Sequence, residues 1–250
     1  MPLMLEGGCF VTGLKEGKPE LRDGIRIWRH VHRGVGAQAI SLRILEFPAG
    51  RSAELRNPEC DEVLYVLEGA GSLVLDGRRY EVEADSGIFV GPGSSFSILN
   101  NSAGSITIAS AQCPEPDPSV KLSAESSARE SEDPRVNPIV RLGDRISEKT
   151  GDRWYRVLVD REVGCNESTQ FVGSIPPGRA PDHFHHYEEV LCILQGSGRI
   201  WAGESSAPIE AGSCIFLPRR QLHCVENTGR SELRLLGVFH PAGSPADRYS

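Results

Sequence analysis

Residues 181–196, PDHFHHYEEVLCILQG, and residues 212–227, GSCIFLPRRQLHCVEN, carry most of what the chain discloses. The apolar runs VLCIL and CIFL, bounded by glycine and proline, read as short strands joined by tight turns. Side chains alternate faces along a strand, so His183 and His185 project to the same side. Glu189 opens the next apolar run and His223 begins another after the loop PRRQ, so three strands can aim three imidazoles and a carboxylate at one point. Seven histidines in 250 residues make His at three specified positions a roughly 2 in 100,000 event, which favours one metal site over a polar strand surface.

The donor chemistry narrows the ion. Three imidazoles and a carboxylate suit one divalent transition metal (iron, manganese, nickel, cobalt, copper or zinc) better than magnesium or calcium. An octahedral ion held by four ligands keeps about two positions open. A closed structural zinc site would take four ligands tetrahedrally and usually includes thiolates, which fall outside this pattern.

At these residues the chain resembles the cupin superfamily. The first cupin motif is matched by Gly178, His183, His185, Glu189 and Gly196, with one residue fewer than usual after the first glycine. The second is matched by Gly212, Pro218, His223 and Asn227, with Arg220 standing where the motif has its last glycine. The resemblance implies an all-β, jelly-roll barrel with His183, His185, Glu189 and His223 as metal ligands.

The pattern occurs twice. Residues 57–69 lie over 184–196 without a gap, and 85–100 over 212–227, at an offset of 127. The chain is therefore identified as a bicupin, two tandem jelly-roll barrels. Glu62, Gly69 and Asn100 survive in the first copy, while Arg56, Pro58 and Phe96 replace the histidines. One carboxylate cannot hold a transition metal alone, so a metal-free N-terminal barrel is expected, with Arg56 facing Glu62 inside it either as a salt bridge, the favoured reading, or to hold a ligand anion. The expected division is an N-terminal barrel at 1–113, a linker at 114–135 and a metal-binding barrel at 136–250. The linker is rich in Pro, Ser and Glu, too poor in large apolar residues to hold a core, with room for a short helix within SAESSARES.

A net charge of −7, with no basic cluster, argues against nucleic-acid and anionic-membrane partners. No stretch approaches the ~20 apolar residues of a membrane span, and the N-terminus lacks a leader pattern, which points to the cytoplasm. Cys9, Cys60, Cys113, Cys165, Cys192, Cys214 and Cys224 are odd in number and dispersed, which favours reduced thiols. His30 and His32 form a second His-x-His without a matching Glu or late His, and read as structural or surface residues.

Gln170, Phe171, Arg199, Trp201, Arg220 and Phe239 are candidate pocket walls, with Glu226 and Tyr187 as candidate proton-transfer groups; no catalytic residue is assigned. Three functions compete: a metal-dependent enzyme on a small oxygen-rich molecule, a small-molecule (sugar or organic acid) binding module, and a storage protein. Retention of one ligand set beside erosion of the other favours the enzyme, a dioxygenase first and an isomerase or lyase next. A small-molecule partner and a homodimer are expected.

Overall fold

A computed structural model describes residues 1–56, 60–115, 137–247 and 249. Among these, regular structure is β-strand apart from four single-turn 3-10 helices. The strands form two barrels, each built from one long and one short antiparallel sheet.

The N-terminal barrel's long sheet runs in the order Ile139–Arg141, Ser86–Val90, Asp61–Glu68, Ile106–Cys113, Leu42–Phe47, Ile25–Val31, Glu20–Arg22. Facing it are Arg78–Glu83, Ala70–Leu75, Ser95–Asn100 and two short segments paired with the last of these. The C-terminal barrel repeats the plan with Leu3–Met4, Phe10–Gly13, Ser213–Leu217, Glu188–Gln195, Leu233–His240, Thr169–Ile175, Arg153–Val159 and Glu148–Thr150. Its short sheet is Gly178–Arg179, His223–Asn227, Ser197–Ala202 and Ser205–Glu210.

Strand alternation sorts side chains into three cores. Along Asp61–Glu68, Leu64 and Val66 pack inside the N-terminal barrel, whereas Val63 and Tyr65 pack outward. Along Glu188–Gln195, Leu191 and Ile193 fill the C-terminal barrel while Val190 and Cys192 point outward. The two outward faces meet in a third core shared by both halves. Each fully buried aliphatic side chain contributes about 1.5–3 kcal/mol, so this shared face joins the barrels firmly.

Two carboxylates close that interface with pseudo-twofold symmetry. Asp61 Oδ2 accepts hydrogen bonds from the backbone N–H groups of Asn166 (2.9 Å) and Glu167 (3.0 Å). Glu188, at the matching position, accepts from Gln38 (2.8 Å), Ala39 (2.8 Å) and Ile40 (3.2 Å). Each half thus caps a loop of the other.

Pairing also departs from the sequential division at 1–113 and 136–250. Phe10–Gly13 adds to Ser213–Leu217 of the C-terminal barrel, and Ile139–Arg141 adds to Ser86–Val90 of the N-terminal one. The exchange covers a strand in each barrel that would otherwise present unpaired N–H and C=O groups along an edge. Local periodicity carries no information about which sheet a strand joins. Most of the expected linker, its short helix and Pro58 lie outside the described residues.

The first copy's expected ion pair is corrected. Glu62, 1% exposed, pairs with Arg43 (2.6 Å) and also accepts from Ser110 (2.6 Å) and Gln112 (3.2 Å). Arg56 is exposed. Arg43 lies across from Ser110 in the adjacent strand, which brings its guanidinium to Glu62. Phe96 is fully buried among apolar side chains of the N-terminal core.

Candidate metal centre

His183, His185 and His223 converge, each with a ring nitrogen within 4.8 Å of the others. Their local setting differs from a regular strand. His183 forms an isolated antiparallel bridge with His223, N–H to O at 3.0 and 2.8 Å in the two directions. His185 follows in a loop, held through its carbonyl by the N–H of Arg220 at 2.7 Å. Arg220 adopts φ 61°, the left-handed conformation that suits the glycine of the motif it replaces. Its role here is therefore a backbone one. Glu189 stands at the start of the strand Glu188–Gln195, with Oε2 3.8 Å from His185 Nε2.

The outer ring nitrogens fix which nitrogen faces the centre. His183 Nδ1 lies 3.0 Å from the Pro181 carbonyl, and His223 Nδ1 lies 2.8 Å from the Gln221 carbonyl. A carbonyl accepts only, so each Nδ1 carries the proton and each Nε2 keeps its lone pair for a ligand role. This donor set fits a divalent transition ion. His185 stacks on Tyr187 at 4.5 Å and Tyr187 on Phe239 at 4.2 Å, which anchors the ring orientation from behind.

The three histidines and Glu189 line a cavity of about 100 Å³ that also touches Thr150, Arg153, Tyr155 and Phe171. Arg153, Tyr155 and Val157 alternate along one strand. Tyr155 packs in the barrel's core, so Arg153 shares its inward face. Burial raises the pKa of the Tyr155 hydroxyl, as does its hydrogen bond to Glu148 (2.9 Å). Pro245, from the segment after the last strand, supplies another wall, and Tyr249 pairs through its backbone with Phe184, between His183 and His185.

Of the walls expected from sequence, Phe171 lines this cavity. Phe239 sits behind Tyr187 and outside the lining. Gln170 turns to the barrel interface, where its amide donates to the Leu64 carbonyl at 3.2 Å. Arg199 and Trp201 belong to an outer cluster in which Trp201 Nε1 donates to Glu226 (2.8 Å) and the Arg179 guanidinium lies 4.3 Å from the indole. Glu226 is therefore directed away from the centre, while Tyr187 lines it. Arg153 and Tyr155 are not among the sequence-based candidates, although their spacing two apart in an amphipathic strand places both on one face. Pro245 had no such signal.

His30 and His32 hold backbone. His30 Nε2 meets the Leu14 carbonyl at 2.8 Å, and His32 Nδ1 accepts from Gly34 at 3.1 Å. All seven cysteines are buried and none is in a disulfide. Among the described residues, no helix is long and apolar enough to cross a membrane.

Residues 43–109 and 171–239 each match the family model described as the cupin domain, so the chain belongs to the cupin family and carries the domain twice. It is 34% identical to auxin-binding protein 1 of Arabidopsis thaliana over 86 residues, 30% of this chain and 43% of that protein. That match spans less than half of the relative. An oxalate-binding protein of Thermotoga maritima is 33% identical over 85 residues, 33% of this chain and 70% of that one. Among solved structures, a putative glyoxylate-induced protein from Pseudomonas aeruginosa aligns with a TM-score of 0.74 at 18% identity, over 96% of this chain and 91% of the other. Oxalate decarboxylase from Bacillus subtilis aligns at 0.73 and 13%, over 94% and 77%. At these identities the two structures speak for the two-barrel fold.

Proposed function

We propose that the chain is a metal-dependent enzyme acting on a small organic acid, with the ion held by His183, His185, His223 and Glu189. The observation that carries this is the convergence of three imidazoles, two with Nδ1 engaged by carbonyls, on a cavity that also contains a permanent cation, Arg153. The relatives named for oxalate support the substrate class. A divalent metal held by these residues would supply Lewis-acid chemistry there.

The chain's own side chains do the rest. Arg153 pairs with a carboxylate and fixes its orientation, since a guanidinium presents two parallel donors to two oxygens. Tyr187 and Phe171 exclude water and lower the local dielectric, which strengthens that pairing. The dioxygenase preferred on sequence uses the same residues and is distinguished by oxygen uptake during turnover. A homodimeric, cytoplasmic protein completes the reading; seven buried cysteines outside any disulfide fit a reducing compartment.

The test is elemental analysis of protein purified without chelators, alongside His185→Ala. One divalent transition ion per chain, falling at least fivefold in a variant with unchanged circular dichroism, is the expected result. Stoichiometric metal in His185→Ala would refute the ligand set. Product analysis on two-carbon to six-carbon acids under nitrogen and under oxygen then separates lyase from oxygenase.

A further inference from the structure

His223 is held by contacts that begin outside the cavity. Its Nδ1 lies 2.8 Å from the Gln221 carbonyl, and its backbone pairs with Ala202 across the short sheet. Both neighbours are braced by residues near the start of the chain. The single turn Glu6–Gly8 leads into the strand Phe10–Gly13, and Cys9 and Val11 anchor it in the C-terminal barrel's core. From that anchorage Glu6 reaches the turn after Ala202. Its Oε2 accepts the N–H of Glu204 at 3.0 Å, and its own N–H donates to Ser205 Oγ at 2.8 Å. That hydroxyl in turn donates to the Ala202 carbonyl at 2.8 Å. The same turn grips the peptide before His223, since the N–H of Gly203 donates to the Leu222 carbonyl at 3.0 Å. Gly7 and Gly8 meet the loop on the other side. Gly7 has φ 69°, and a β-carbon there would lie 1.5 Å from Gln221 Oε1, so the Gln221 side chain rests on backbone that only glycine leaves bare. Gly8 faces Pro218, whose Cγ would lie 3.7 Å from a β-carbon at Gly8, and the Pro218 carbonyl accepts the N–H of Gln221 at 3.2 Å.

We infer that Glu6 and Gly7 are positioning residues of the metal centre: they clamp the turn at 203–205 and the loop at 218–222 on either side of His223, so that the Gln221 carbonyl stays on Nδ1 and Nε2 stays available as a ligand. The inference rests on the ligand set proposed above and adds to it a segment that touches neither the cavity nor the imidazole. A group hydrogen-bonded behind a ligating imidazole fixes its tautomer and direction, and losing such a group costs about 10–100-fold in metal affinity. Glu6 and Gly7 act one contact further out, so each should carry a smaller share, about threefold to tenfold. The same loop also holds His185, whose carbonyl accepts from the N–H of Arg220 at 2.7 Å, so a displaced loop disturbs two ligands at once.

Zinc(II) affinity of the full chain, measured by competition with a chelating dye, tests this. Glu6→Ala and Gly7→Ala should each weaken zinc about threefold to tenfold, whereas Glu6→Gln, which keeps an acceptor oxygen, should bind as wild type does. Gly17→Ala is the control. Gly17 also has a positive φ, 82°, but a β-carbon there meets nothing within 4 Å, so the variant carries similar backbone strain without the contact and should keep its affinity. A second readout needs no metal. Proton–nitrogen correlation spectra of metal-free protein carrying isotope-labelled histidine, with His223→Gln to assign the signal, should show His223 as the Nδ1–H tautomer in wild type and as a mixture with the Nε2–H form in Glu6→Ala and Gly7→Ala. Unchanged affinity and tautomer in those two variants would overturn the inference. So would equal losses in Gly17→Ala or Glu6→Gln, because general destabilisation would then be the cause. Circular dichroism checks folding, and if Gly7→Ala does not fold, Glu6→Ala against Glu6→Gln decides. Wild-type protein that binds no zinc would refute the ligand set and the inference with it, whereas stoichiometric wild-type binding with unaffected variants refutes the positioning role alone.

Discussion

Replacing Glu188 by alanine should separate the two halves energetically without touching either barrel's interior. Its carboxylate, 3% exposed, accepts from the N–H groups of Gln38, Ala39 and Ile40, and no neighbouring residue in that loop offers them another acceptor among the recorded bonds. Removing it leaves three donors short of a partner. A buried donor left unsatisfied costs about 1–3 kcal/mol; Ala39 and Ile40 are buried while Gln38 is exposed, so Glu188→Ala should lose about 2–6 kcal/mol. Asp61→Ala releases the N–H groups of Asn166 and Glu167, both on exposed residues that water can reach, and should lose only about 1–2 kcal/mol. For a chain of this length 1 kcal/mol moves Tm by ~2–4 °C, so differential scanning calorimetry of metal-stripped protein should show Glu188→Ala melting on the order of 10 °C below wild type. Glu188→Gln keeps one acceptor oxygen and should fall between. A Glu188→Ala loss under about 1 kcal/mol, or Asp61→Ala costing more than Glu188→Ala, would refute the assignment of these carboxylates as the clasps of the interface.

Arg43→Met should cost about 3–5 kcal/mol, because it strands Glu62 as a buried charge. The double variant Arg43→Met, Glu62→Gln should recover most of that in urea melts, and failure to recover would show that the guanidinium matters for packing and not for charge. The third prediction concerns acid. Burial lowers the pKa of His30, outweighing its hydrogen bond to the Leu14 carbonyl. Just below the ordinary histidine value of ~6.5 the unfolded chain therefore binds a proton that the folded chain refuses, so stability rises with pH across that window and is lost on acidification. Relative to His30→Gln, wild-type protein should lose stability between about pH 7 and about pH 5; a pH-independent difference between the two would contradict the burial argument.

The convergence of His183, His185 and His223 was legible in their spacing, although an isolated bridge and a loop, not a regular strand, bring His183 and His185 together. So was the duplication, and the structure explains which positions survive in both copies. Asn227 donates to the carbonyls of Ile175 (2.8 Å) and Ser231 (2.8 Å), and Asn100 donates to those of Phe47 (3.2 Å) and Gly104 (2.7 Å). These asparagines tie loops, so they persist whether or not the histidines do. Gly69 and Gly196 persist for a backbone reason: both take positive φ, 92° and 87°. The partner of Glu62 was not legible, because it comes from a strand nineteen positions earlier and register between distant strands is set by the whole sheet. The same holds for the exchanged strands, which local pattern marks as strands without saying whose.

The two halves part at a few positions around one carboxylate. In the first, Arg43 lies across from Ser110, and both reach Glu62; in the second, Phe171 lies across from Gly237, where a β-carbon would come within 2.3 Å of the ring. Arginine with serine supplies Glu62 with a cation and a donor from the protein itself. Phenylalanine with glycine gives an aromatic wall, and the carboxylate at that level, Glu189, faces histidines instead. One half has thus internalised its counter-charge and packed Phe96 where the other keeps His223. The packed half still acts on the other half's centre, since its loop at residues 38–40 holds Glu188, the residue beside Glu189 in the same strand. Glu188 faces the interface and Glu189 the cavity, so anchoring the first sets the height of the second. The N-terminal barrel in this sense helps to position Glu189, and a change that loosens the loop at 38–40 should be felt at Glu189 before it is felt at any histidine.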